Sequence, residues 1–306
     1  MGSEFVPFTL PPLVIATLAA LACAAPGNFL LLRRQALLGD AMAHVVLPGL
    51  VVAFLLTGSG APAVMLAGAL AAAALSAALI EAIRRATGAD PGAAMGVTFT
   101  AMFAAGVLLL ETSGASAVHL DVEHALYGNL EGLIWIDASG WSSLADPAAL
   151  AALPTEVFLL AAIAAAILLL LVLLWRPLAI ATFDEGFAAT QGIPVRLLSG
   201  ALTGLTALAA VAAFSAVGSI LTIAMLVCPP ATARLLTDSL PRQVALSLVI
   251  AAAAAATGTV VAGYVPLLLG LPFTVSAAGT IAALSGAFLA LAAAFGPHRH
   301  PIQPRA

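Results

Sequence analysis

The chain has 306 residues, 63% of them hydrophobic and 8% charged, with a formal net charge of −4. Such a composition excludes an ordinary soluble domain, and repeated apolar runs of about twenty residues define an all-α, polytopic helical membrane protein. All ten basic residues are Arg, so the chain lacks the Lys of a P-loop or a Schiff-base enzyme, any ATP hydrolysis belongs to another polypeptide, and no nucleic-acid partner is expected.

In chain order, Met1-Gly2-Ser3-Glu4-Phe5 reads as a cloning remnant and is set aside, leaving 6–306 as one transmembrane domain. No cleavable signal peptide is expected, because the first apolar run is too long and Arg follows it. Apolar runs cover about 10–32, 35–57, 61–81, 92–111, 157–175, 196–215, 217–236, 243–263 and 274–295. That gives nine spans; the Gly and Pro interruptions are also compatible with eight or ten. With nine, all ten Arg fall on one side of the membrane. The positive-inside rule makes that side cytoplasmic, with the N-terminus outside and the C-terminus inside.

The second run opens with the most informative residues. Asp40 and His44 lie four apart, on one face of a helix, within hydrocarbon where ionisable groups are costly. Counting from Arg34 at about 1.5 Å per residue, Asp40 lies roughly 9 Å deep and His44 roughly 15 Å, near the midplane of a core about 30 Å thick. Pro48 shares their face and removes the helical bond to the His44 carbonyl. Gly39 and Gly49 flank the site and allow close approach. An Asp oxygen with a His nitrogen suits Mn²⁺, Fe²⁺ or Zn²⁺, with further ligands from a second copy, another helix or water. A buried Asp–His ion pair fixing helix packing, or a proton relay, accounts for the same residues.

The loop 112–156 then faces outward and has no basic residue. Its acidic character attracts cations, or merely solvates an external loop. Within it, His119, Asp121, Glu123 and His124 form a second, weaker set of ligand types at the external mouth. On the opposite side, 176–196 is the longest connection. Asp184 is expected to cap a short helix running to Gln191, with Glu185 complementing its dipole and Gly192 ending it. Such a helix suits docking to a partner; an ordinary connecting loop is the plainer alternative. Cys23 and Cys228 read as small buried hydrophobes, and His298 and His300 as residues of a solvated tail.

The stretch Leu38-Gly39-Asp40-Ala41-Met42-Ala43-His44-Val45-Val46-Leu47-Pro48-Gly49 resembles the permease subunits of ABC importers for manganese, zinc and iron. Asp121–Gly132 (DVEHALYGNLEG) resembles the family's outer-loop motif, and Val217–Thr237 (VGSILTIAMLVCPPATARLLT) its late-helix signature. Asp184 to Gly192 is similar to its ATPase-coupling segment, including Asp184, Glu185, Ala188 and Gly192. Most of 10–295 is covered. The resemblance implies an ABC importer permease fold in a bacterial inner membrane. Its partners would be two cytoplasmic ATP-binding subunits, a second permease copy or paralogue, and an external metal-binding protein. It places Asp40 and His44 on the path of the transported metal, with no other cofactor. The Pro48-Gly49 ending is more typical of manganese and iron members, which ranks Mn²⁺ ahead of Fe²⁺ and Zn²⁺.

Two other classes are weaker. A stand-alone secondary transporter would use Asp40 as a proton site. An intramembrane hydrolase lacks an H-E-x-x-H motif or a Ser placed beside a His base, and Ser215 and Ser219 read as helix-packing hydroxyls.

Overall fold

The computed structural model describes residues 2–59, 61–113, 130–138, 140–270 and 275–297, with side chains at all of these except 2–4, Asp40, Ala43, Pro62, Ala63 and Pro91. The chain begins with α1 (Gly2–Phe8), α2 (Leu10–Leu32), α3 (Leu37–Thr57), α4 (Pro62–Thr87) and α5 (Pro91–Thr112). After two 3₁₀ turns, Leu130–Gly132 and Trp141–Ala145, come α6 (Pro147–Ala151), α7 (Thr155–Leu173), α8 (Trp175–Phe183) and α9 (Glu185–Thr190). The chain closes with α10 (Val195–Leu236), α11 (Leu240–Leu268) and α12 (Ala277–Phe295). Among the described residues, eight helices are long and apolar enough to cross a membrane.

Local chemistry sets the boundaries. Pro opens α4, α5 and α6 at the position where a missing N–H costs nothing. Asp90 and Asp146 cap α5 and α6 by accepting from Gly92 N (2.8 Å) and Ala148 N (3.0 Å). Gly58 and Gly88 end α3 and α4 in the left-handed conformation. At the end of α2 that role falls to Arg34 (φ 58), with Gln35 N bonded to Leu30 O at 2.8 Å.

α2 is the central helix. The small residues Ala19, Ala20, Ala22, Cys23, Ala24 and Ala25 are buried and let α7, α10 and α11 approach closely. Asn28 accepts from Gln243 Nε2 (3.2 Å) and donates to Ser247 Oγ (2.7 Å), while Thr9 meets Tyr264 at 3.4 Å. These contacts make α11 antiparallel to α2. The outward faces of α4, α5, α7 and α12 expose Leu75, Val97, Leu108, Leu169, Val172 and Leu291, as lipid contact requires.

The runs expected at 196–215 and 217–236 lie in one continuous element, α10, whose two helical arms meet at the non-helical Gly218 (φ 81, ψ 172). Counting the two arms as one element gives eight apolar helices among the described residues, within the eight to ten expected. The helix nevertheless folds back on itself. Ser199 Oγ accepts from Arg33 Nη1 at 2.8 Å, and Gly27 packs against the carbonyl of Leu226. Along a straight helix residues 199 and 226 would be about 40 Å apart, whereas along α2 residues 27 and 33 are separated by about 9 Å. The arm 195–217 therefore runs antiparallel to α2. The arm 219–236 returns alongside α12, with Met225 beside Ser285 and Leu235 beside Gly296. Among the described residues, the eight helices thus make nine passes through the bundle, and the eight described Arg residues lie toward one end of it.

The opposite end is covered by 130–153. Trp135 is fully buried and donates to Ala149 O at 2.8 Å. Glu131 is more than a solvated acid, because its carboxylate accepts from Ala277 N at the start of α12, at 2.5 Å. Phe5, set aside at the level of sequence, stacks on Trp141 (5.8 Å) and Tyr264 (6.5 Å).

Candidate functional site

α3 carries Asp40 and His44 and is wedged among three helices at its glycines and proline. Gly39 packs on Leu226 of α10, where an added Cβ would fall 2.7 Å from Leu226 Cδ1. Gly49 meets the Gly68 carbonyl and Ala69 of α4, and an added Cβ there would lie 2.5 Å and 2.8 Å from them. Gly106 of α5 lies against Pro48, where a Cβ would come within 2.8 Å of Cδ and 2.9 Å of N. Gly49 and Gly106 have no room for a side chain, and one at Gly39 would have to displace Leu226, so the α3 backbone is held on three sides.

The His44 ring, partly exposed, sits between two aromatics of α5. Its centroid is 5.7 Å from Phe99, nearly parallel, and 5.4 Å from Phe103, edge-on. Phe99 and Phe103 are one helical turn apart, and Gly106 follows on the same side. His44 and Pro48 thus both face α5, in agreement with the shared face expected from their spacing. Asp40 lies within α3 one turn earlier, at the register position that continues this face. The aromatic pair fixes the plane of the imidazole and limits its rotation. Nothing polar marks Phe99, Phe103 or Gly106, so sequence reading passed over them; the i, i+4 aromatic spacing was the available signal.

Among the described residues no three His, Cys, Asp or Glu side chains come together as a metal cage. His119, Asp121, Glu123, His124, His298 and His300 lie outside the described residues.

At the arginine end, α9 has the expected form. Asp184 caps it by accepting from Phe187 N at 2.8 Å, Glu185 occupies its first turn, and Gly192 follows with φ 74. Its two faces differ. Phe187 is 52% exposed and Phe183, at the end of α8, 65% exposed, whereas Ala188 is 0% exposed. Ala188, grouped above with the coupling residues, turns inward because the single turn from Asp184 seats that face on the bundle. It anchors the helix and is closed to any partner.

The ABC 3 transport family model matches residues 6–137 and 148–295. The chain is 37% identical over 286 residues to the Bacillus subtilis protein named manganese transport system membrane protein MntD, covering 93% of this chain and 91% of that one. It is 33% identical over 265 residues to the Treponema pallidum zinc transport system membrane protein TroC, covering 86% and 83%. Its fold matches a chain of the solved structure of PsaBC from Streptococcus pneumoniae in complex with Fab, with a TM-score of 0.77, 29% identity, and 95% and 93% of the two chains covered. With eight apolar helices, a family match along nearly its whole length and relatives named as transport-system membrane proteins, the chain belongs to the ABC 3 transport family as a membrane-spanning transport subunit.

Proposed function

We propose that this chain is the permease of an ATP-driven importer and passes a divalent transition metal along Asp40 and His44, with Mn²⁺ favoured over Fe²⁺ and Zn²⁺. The observation that carries this reading is the His44 imidazole of α3, partly exposed and held between Phe99 and Phe103. The 37% identical relative is named for manganese transport, which supports the ranking of the ion. Two ligands per chain leave the coordination to be completed by a second permease copy or paralogue, or by water. ATP hydrolysis belongs to separate subunits, and an external binding protein delivers the metal. The test is uptake into proteoliposomes holding the assembled importer, with Mn²⁺, Fe²⁺ and Zn²⁺ in competition. Uptake should need ATP, and Mn²⁺ should dominate. Uptake by the chain alone under a proton gradient would instead favour a secondary transporter with Asp40 as its proton site.

Orientation follows from the arginine end. The eight described Arg residues there support its being the cytoplasmic side of a bacterial inner membrane, with the N-terminus outside. The exposed Phe183, at the end of α8, and Phe187, on the capped α9, then face the cytoplasm and offer a fitting surface for the ATP-binding subunit. Replacing Phe187 with Ser is expected to weaken ATPase association about tenfold or more, as an aromatic interface anchor does, without unfolding the permease. Co-purification against increasing ATPase subunit measures this, and unchanged association would remove α9 from the interface.

A further inference from the structure

Arg33 stands where three elements meet. It is the C-cap of α2, four residues before α3 begins. Its Nε donates to Thr182 Oγ1 of α8 at 3.2 Å, and its Nη1 to Ser199 Oγ of α10 at 2.8 Å. Its Nη2 is buried and has no hydrogen-bond partner. Burial draws the guanidinium below the ordinary arginine value, and the Glu185 carboxylate at the start of α9 opposes that shift.

Each feature has a physical consequence. A guanidinium presents donors in a rigid fork, so one side chain can tie two elements in a fixed relation. Thr182 lies two residues before the Asp184 cap, so the fork grips the base of the segment that carries Phe183 and Phe187. On the other side, Arg33 is joined to Arg34, the non-glycine residue with positive φ at the α2–α3 junction. That backbone costs about 1 kcal/mol or more and persists only where its surroundings enforce it. A buried donor without an acceptor is likewise costly, and the nearby charge of opposite sign is Glu185.

We propose that Arg33 is a positioning residue that couples α8–α9 to the α2–α3 junction, so that movement of the docking segment shifts the helix bearing Asp40 and His44. The guanidinium holds Thr182 and Ser199 in the arrangement seen here, and when α9 is displaced its spare N–H is taken up by Glu185. This rests on the reading of α9 as the ATPase-docking helix.

The test uses the reconstituted importer with its ATP-binding subunits and binding protein, and reads Mn²⁺ taken up per ATP hydrolysed. In Arg33→Met the ATP-binding subunits should still co-purify and basal ATP hydrolysis should continue. The Mn²⁺-to-ATP ratio should fall about tenfold, the scale of a coupling between two sites. The double variant Thr182→Val/Ser199→Ala keeps Arg33 and removes its acceptors, and should lower the ratio similarly. Arg33→Lys keeps the charge without the fork, and should likewise leave docking intact while the ratio stays low. A wild-type ratio in Arg33→Met, full recovery in Arg33→Lys, or a ratio that falls only as far as ATPase co-purification does would each overturn the assignment. If the wild-type complex takes up no Mn²⁺, the importer reading itself fails, separately from the role of Arg33.

Discussion

Replacing His44 with alanine is expected to lower Mn²⁺ uptake by the assembled importer about 100-fold at limiting metal, since groups that merely support a metal ligand already contribute 10- to 100-fold. The imidazole is the described member of the pair, and among the described residues no cluster of three ligand-type side chains stands in reserve. Its loss leaves Phe99 and Phe103 at that level of α3, and neither offers a lone pair to a metal. Folding should survive. The ring is partly exposed, and the contacts forfeited include two aromatic pairings of about 0.5–1.5 kcal/mol each. Asp40→Asn, which keeps shape and removes charge, should match it in direction. The measurement is initial uptake rate against metal concentration, beside detergent-solubilised yield and ATPase association. Wild-type rates for both variants at limiting Mn²⁺ would remove these residues from the path. A loss confined to packing would instead appear as lower yield with a normal rate per folded complex.

What the sequence made legible follows from where polarity is expensive. In a chain with 8% charged residues each charge carries information, so Asp40, His44 and the Arg distribution could be read directly. The capped helix after Asp184 was readable too, because Asp, Glu and a following Gly each have a local backbone role. Contacts between apolar helices left no such mark. Phe99, Phe103 and Gly106 look like any lipid-facing or core residue until α5 is set against α3, and Gly106 is informative only because Pro48 lies on it. Ala188 shows the same limit: its segment was recognisable, but which face turns inward depends on how α9 seats on the bundle. Phe5 was dismissed by its position in the chain, whereas its stacking on Trp141 and Tyr264 depends on the outer segment folding back. The number of spans turned on one residue, Gly218, which lies just inside the run read as 217–236.

Gly218 therefore supports the prediction with the largest structural effect. Its φ of 81 and ψ of 172 fall in a region that only glycine occupies readily, and the chain is buried there. Gly218→Ala should cost about 3 kcal/mol, and a β-branched Val should cost more, because the branch adds χ1 restriction to the backbone strain. The consequence exceeds a local cost. If residue 218 becomes helical, the arms 195–217 and 219–236 align into one rod of about 63 Å, twice the hydrocarbon thickness. The second arm would then lose Gly27, Gly39 and Ser285 as neighbours, and α3 would lose one of its three supports. Gly218→Val should thus abolish folded, ATPase-competent permease, with Gly218→Ala showing a sharply lowered thermal midpoint. Gly204→Ala in the same helix is the control. A Cβ there meets nothing within 4 Å, so that variant should be neutral or stabilised by up to about 1 kcal/mol. Equal behaviour of the alanine variants at 204 and 218 would mean that the reversal of α10 does not depend on glycine, and the nine-traversal topology would need another cause.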